Sequence, residues 1–380
     1  MAQTNGVPDS QPDERANPLS KPLVGVIPNR PHQAPLGIFN EGSYDLAIVE
    51  FDDQGRCYDR AQMDAVADKL AGYGEEDVII VVFVHGWKHD ARSDDTNLAE
   101  FRNVLKLAVG KEAEQASGGR RRPVLGVFVG WRGMSLFDRY GILDNATFWD
   151  RQDAGRRVAV GSVRELFGRF RHYRNHRKDA GGAPLLIIVG HSFGGMIVYS
   201  ALAQSLIEAA TPSAAEIAPH FADLVLLVNP AFEAARYLPI YDLVLRRVAQ
   251  SVRTSQPPVF ICATAENDWA TGMAFPLGNI LSIFTESCRG QEERQAMLRT
   301  VGHLSWMTTH ILASPAGGAS YQLSEIAEGA QGNPFWVVQA TPAVIDGHNG
   351  IFQAPFLTFV ADQVFQHVQY SRLKATRPLS

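Results

Sequence analysis

A serine stands at the centre of Gly190-His191-Ser192-Phe193-Gly194, a G-x-S-x-G run. A serine hydroxyl is a poor nucleophile at neutral pH. It becomes a good one when a base takes its proton and a carboxylate orients that base. Whether Ser192 can do this depends on its flanks. Before it, Leu185–Val189 is five apolar residues, the pattern of a buried parallel strand. After it, Met196–Ala210 is apolar at helical spacing and holds no Gly or Pro. Strand, tight turn and helix in that order force the central residue into strained geometry and push its hydroxyl into a cleft. Gly190 and Gly194 fit such a turn, where a Cβ would collide with the crossing backbone.

In open parallel sheets the functional groups gather at the carboxyl ends of strands, which selects the partners. For the acid, Asp268 lies just past the expected strand Pro258–Ala263, and Glu266, two residues earlier, is the alternative. A carboxylate there can also simply cap the next helix. For the base, His348 sits in Asp346-Gly347-His348-Asn349-Gly350, after the last strand and before the last helix. His303 and His310 compete with it, but no strand directly precedes either; Asp346 reads as a turn residue. An oxyanion formed at Ser192 needs two backbone N–H donors. One is expected from Phe193, at a helix N-terminus, and the other from Trp87, with Lys88 as alternative. His85 and Gly86 shape that loop. With Met273 and Phe275 they are the candidate substrate-binding residues.

The elements that must position these groups are readable in outline. Strands are expected at Tyr44–Phe51, Asp77–Val84, Val124–Val129, Asp223–Val228 and Phe335–Ile345. Helices are expected at Asp59–Leu70, around Leu98–Ala116, at Arg151–Lys178 and at Phe352–Val368. Strands alternating with helices mean crossover units and a mostly parallel sheet. Trp269–Ile326 shows no clear strand. The interval is too long for a plain connection, so 269–330 reads as a cap-like insertion over the cleft. Residues 1–36 hold seven of the 21 prolines and read as a disordered or extended arm. Residues 37–380 form the catalytic domain in this reading.

Composition narrows the function classes. Hydrophobic content of 46% allows a large core, and a net charge of −5 gives no electrostatic case for nucleic acid. The basic run Arg156–Lys178 reads as a solvated helix face. His172 and His176 lie four apart, but their neighbours are mostly cationic, which opposes a dication, so no metal site is expected. Three cysteines without C-x-x-C spacing suit a reducing compartment. No secretory signal and no stable membrane insertion are expected, and the chain is read as cytoplasmic.

The elbow, the order Ser192…Asp268…His348 and the His85-Gly86 loop together resemble the α/β-hydrolase superfamily, over roughly Asp77 to the closing helix. Within it, His85-Gly86-Trp87, Trp131-Arg132-Gly133 and Asp346-Gly347-His348-Asn349 look most like lipase-like or esterase-like hydrolases. The resemblance implies an eight-stranded, mostly parallel sheet flanked by helices on both faces, a Ser–His–acid triad and no cofactor. It implies a serine hydrolase acting on a small-molecule carboxylic ester through an acyl-enzyme. The same machinery serves a thioesterase, lipase or acyltransferase, and a non-catalytic binding protein on the same scaffold is the alternative from another class.

Overall fold

The computed structural model describes residues 38–86, 89, 91–116, 121–131, 153–211, 221–251, 254–274, 288–327 and 332–375. All lie in one unit, Pro31–Ser380. The arm expected at 1–36, residues 132–152, and Trp87, Lys88 and Phe275 lie outside them.

Ten strands form one mixed sheet. They are β1 (Ile38–Asn40), β2 (Asp45–Phe51), β3 (Ile79–Val84), β4 (Val124–Trp131), β5 (Leu185–His191), β6 (Leu224–Val228), β7 (Phe260–Ala265), β8 (His310–Ala313), β9 (Gln322–Glu325) and β10 (Phe335–Ala340). Their order is β1-β2-β4-β3-β5-β6-β7-β10-β8-β9. Every neighbouring pair is parallel except β1–β2 and β8–β9, the two edges. The central strands are buried on both faces, which explains their near-continuous Val, Ile and Leu runs.

Alternate side chains feed two cores. On one face, Ile80, Val82, Leu186 and Ile188 pack with α1 (Arg60–Gly72), α4 (Val163–Asp179), α5 (Phe193–Ala210) and α6 (Leu238–Ala249). On the other, Ile79, Val81, Leu185 and Ile187 pack with α2 (Thr96–Gln115) and the closing helix, α8 (Ala354–Ala375). A further helix, α3, spans 153–160, and α7 is Gln291–Leu298. Among the described residues α5 is the one helix long and apolar enough to cross a membrane, and 67% of it is buried inside this fold.

Three expectations are corrected. The sheet has ten strands rather than eight. The interval expected to lack strands holds β8 and β9, a hairpin that extends the sheet beyond β10, so these two segments of 269–330 are part of the sheet. Each strand has only four residues, and β9 is a polar edge strand, so neither carries a strong hydrophobic pattern. The single helix expected over Arg151–Lys178 is broken at Gly161-Ser162, between α3 and α4. There the chain crosses Gly55 so closely that a Cβ on Gly161 would lie 2.1 Å from the Gly55 carbonyl oxygen. The Ser162 N–H donates to that oxygen at 2.7 Å.

A buried charge cluster ties α4 to the amino ends of β5 and β6. Asp223 accepts from Arg174 Nε at 2.9 Å, from Lys178 Nζ and from the Leu186 N–H at 2.8 Å. Removing a carboxylate that neutralises a buried guanidinium leaves that charge stranded. Asp223→Ala is therefore expected to destabilise the fold by about 3–5 kcal/mol, read as a lowered urea midpoint at unchanged slope.

Candidate active site

Ser192 occupies the turn between β5 and α5 with φ 56° and ψ −121°. A non-glycine residue at positive φ stores about 1–3 kcal/mol of strain. The surroundings hold it there. The Ser192 N–H extends the β5–β6 pairing by donating to the Val228 carbonyl at 3.0 Å, and its own carbonyl accepts from the Ala231 and Met196 N–H groups. The flanking glycines have no room for a side chain. A Cβ on Gly190 would lie 2.6 Å from the Gly194 oxygen, and one on Gly194 would lie 2.0 Å from the Val84 oxygen.

His348 and Asp268 meet Ser192 from the ends of β10 and β7. Ser192 Oγ lies 2.9 Å from His348 Nε2, and His348 Nδ1 lies 2.9 Å from Asp268 Oδ2. Asp268 is fully buried at its side chain, whereas that of His348 is 23% exposed, so the imidazole is the open face of the chain. The alternative acid, Glu266, is exposed. Burial alone would raise the Asp268 carboxyl. The hydrogen bond and charge of His348, with hydrogen bonds from Thr271, outweigh it and hold the group below the ordinary carboxylate range.

The two oxygens of Asp268 divide their work. Oδ1 accepts from the Ala270 and Thr271 N–H groups at 2.9 and 3.2 Å, capping the π-helical turn Ala270–Ala274. Oδ2 takes His348 and the Thr271 hydroxyl, the latter at 2.5 Å. Capping and orientation of the histidine are both present, one on each oxygen. The hydroxyl has one hydrogen and gives it to the acceptor-only carboxylate. His303 Nε2, 3.0 Å from Thr271 Oγ1, therefore donates to it. His303 thus stands behind the acid, not beside the serine. His310 lies buried in β8, its Nδ1 2.8 Å from Thr309 Oγ1. Thr271→Val is expected to destabilise the fold by about 1.5–3 kcal/mol through loss of one charge-assisted hydrogen bond, read as a lowered urea midpoint.

Sequence reasoning missed the side chains that hold the His348 loop. Asn229, wholly buried with φ 45°, donates from Nδ2 to the carbonyls of His348 at 2.8 Å and Gly347 at 3.1 Å. Its Oδ1 accepts from the Ala265 N–H. One amide so joins the ends of β6 and β7 to the loop after β10. His191 Nε2–H donates to the same His348 carbonyl at 2.9 Å. Asn267 exchanges bonds with Asp346 Oδ1 and the Gly347 N–H. The only sequence signal was a polar residue, Asn229, ending an otherwise apolar strand.

Burial, followed by the charge of neighbouring His348, pushes His191 down to about 3 from its ordinary 6.5. The folded state then refuses a proton that the unfolded chain accepts below 6.5. Stability is full above that pH and falls as pH drops toward 3, by about 3 kcal/mol from this group at pH 4.5. Urea midpoints measured from pH 7 to 4.5 are expected to show this slope, and His191→Asn to flatten it.

The loop after β3 departs from expectation at His85. This residue is fully buried and stacks on Phe128 and Trp131. Its Nε2 accepts the Trp131 N–H at 3.1 Å, so its Nδ1–H donates to the Gly86 carbonyl at 2.8 Å. Trp131 Nε1–H returns a bond to the His85 carbonyl at 2.8 Å. His85 therefore locks the ends of β3 and β4 together rather than contacting a substrate. Gly86 lies against the serine: a Cβ there would be 2.8 Å from Ser192 Cβ. Phe193 is the first residue of α5, its ring buried edge-on to Trp131. Met273 lies in the Ala270–Ala274 turn. Among the described residues no group of three or more His, Cys, Asp or Glu side chains converges to hold a metal ion. Comparison with protein-family models, with curated proteins and with solved structures finds no match to this chain.

Proposed function

We propose that this protein is a serine hydrolase that cleaves carboxylic esters on an α/β-hydrolase fold. The observation that carries the reading is the unbroken chain Ser192 Oγ–His348 Nε2–His348 Nδ1–Asp268 Oδ2, two contacts of 2.9 Å, built on a serine at φ 56°. The strand–turn–helix setting of Ser192 in the middle of a mostly parallel sheet supports the fold assignment. So does the chain order Ser192, Asp268, His348.

In this mechanism Asp268 accepts a hydrogen bond from His348 Nδ1–H, which keeps the proton on that nitrogen and leaves Nε2 free as a base. Nε2 takes the Ser192 proton as Oγ attacks the ester carbon. The developing oxyanion is held by the Phe193 N–H, at the positive end of α5, and by an N–H of the loop after β3, assigned to Trp87. Collapse expels the alcohol, which takes its proton from His348. Water then attacks the acyl-enzyme with His348 again as base. His348 is the partly exposed member of the three, as a group that must serve first the alcohol and then water should be.

Covalent labelling tests the proposal directly. A fluorophosphonate is expected to form one adduct, located on Ser192 by mass spectrometry, and to abolish hydrolysis of short-chain esters. A folded protein that resists both this probe and a small sulfonyl fluoride would overturn the reading in favour of a non-catalytic binding protein.

A further inference from the structure

The stretch of backbone that carries the base is held by side chains. Among the described residues no backbone–backbone hydrogen bond reaches Gly347 or His348. Their N–H and carbonyl groups bond instead to Asn229, His191 and Asn267. These three side chains therefore set where the imidazole lies.

Two of them tie the base to the acid. Asn267 directly precedes Asp268, and Gly347 directly precedes His348. Asn267 Oδ1 accepts the Gly347 N–H at 2.9 Å, beside the 2.9 Å contact of Asp268 Oδ2 with His348 Nδ1. The acid–base contact is thus one rung of a pair, and an asparagine makes the other. Asn267 Nδ2 donates to Asp346 Oδ1 at 2.9 Å, so each end of the amide has a partner of the right kind. Asn229 grips the same loop from the end of β6. Its backbone N–H donates to the Ala263 carbonyl, and its Oδ1 accepts from the Ala265 N–H, both at 2.9 Å. It is so fastened to the end of β7, the strand that leads to Asp268. Its Nδ2 then donates to the carbonyls of Gly347 and His348. A wholly buried amide on a backbone at φ 45° is costly to hold, and such cost gathers at functional sites.

We propose that Asn229 and Asn267 are positioning residues that keep His348 in register with Asp268, and so govern the chemical step rather than substrate binding. This rests on the esterase reading above. Neither side chain is hydrogen-bonded to Ser192 or to the imidazole, so both act through the loop. A base displaced by about 1 Å loses on the order of 10²-fold in rate.

The test is steady-state ester hydrolysis and the rate of fluorophosphonate labelling, each beside a thermal melt. Asn229→Asp keeps the shape of the side chain and its acceptor for the Ala265 N–H. It replaces the donor with an oxygen that faces two carbonyls. At pH 8 that carboxylate repels the loop, and kcat is expected to fall about 10²-fold with KM little changed. At lower pH the new carboxyl takes a proton and again donates to a loop carbonyl. The kcat ratio of variant to wild type is therefore expected to rise about tenfold between pH 8 and pH 5.5. The titratable side chains bonded into this network are His191, which burial keeps neutral down to about 3, His348, Asp268 and Asp346. All are present in both proteins, so the ratio isolates the new group. Asn267 is exposed, so Asn267→Ala guards against a folding failure of the buried variant. It is expected to lower kcat about tenfold, with labelling slowed in step. Wild-type kcat in both variants would overturn the positioning role and leave the esterase standing. So would a loss of kcat that only follows loss of folded protein, at a ratio that does not change with pH. A wild type that neither labels nor hydrolyses would overturn the esterase, and with it the role of both asparagines.

Discussion

Ser192→Ala is expected to lower kcat for ester hydrolysis by about 10⁴-fold or more, toward the residual rate that binding and oxyanion stabilisation alone supply. The substitution removes the hydroxyl hydrogen-bonded to His348 Nε2, and among the described residues no other hydroxyl is hydrogen-bonded to that nitrogen. The fold should tolerate it. Alanine at φ 56° bears the same strain as serine, and the turn is held by backbone bonds to Val228, Ala231 and Met196 that do not involve the hydroxyl. The measurement is kcat on a short-chain ester beside a thermal melt. A full loss at an unchanged melting temperature assigns the chemistry to Oγ. Retained turnover would reject Ser192 as nucleophile, whatever the geometry.

Asp268→Asn is expected to cost about 10³–10⁴ in kcat, and the reason lies in how the carboxylate is occupied. The Oδ1 position receives two backbone N–H donors, from Ala270 and Thr271, so an amide must put its oxygen there. Its NH2 group then falls at the Oδ2 position, against His348 Nδ1. A donor facing Nδ1 forces the imidazole proton onto Nε2, where it can no longer take the proton of Ser192. The Thr271 hydroxyl can rotate to accept from the amide, so the turn itself survives. Steady-state kinetics of Asp268→Asn beside Glu266→Gln decide the matter. The exposed Glu266 should lose little, and a greater loss in its variant would move the acid role to it.

Much of this arrangement was visible one segment at a time. Gly190-His191-Ser192-Phe193-Gly194 announces a turn because its glycines answer a local steric demand. The apolar runs at Ile79–Val84 and Leu185–His191 announce central strands because both their faces are buried. Asp268 and His348 could be nominated from element order, since each follows a recognisable strand. The β8–β9 hairpin could not: four-residue strands at a polar edge bury too little to leave a pattern. The break at Gly161 could not either, because its cause is the backbone of Gly55, more than a hundred residues away.

The amino-acid sequence by itself determined the central strands, the helices that follow them and the residue types at their ends, since these follow from side-chain periodicity and local backbone sterics. Only the tertiary structure decided which of those ends meet. It set Asn229 and His191 on the carbonyl of His348, gave one Asp268 oxygen to a turn and the other to an imidazole, and turned His85 inward to lock two strands. Each of these depends on a hydrogen bond between groups far apart in the chain. Such partners are chosen by how the sheet brings strand ends together, and one strand's own composition does not encode them.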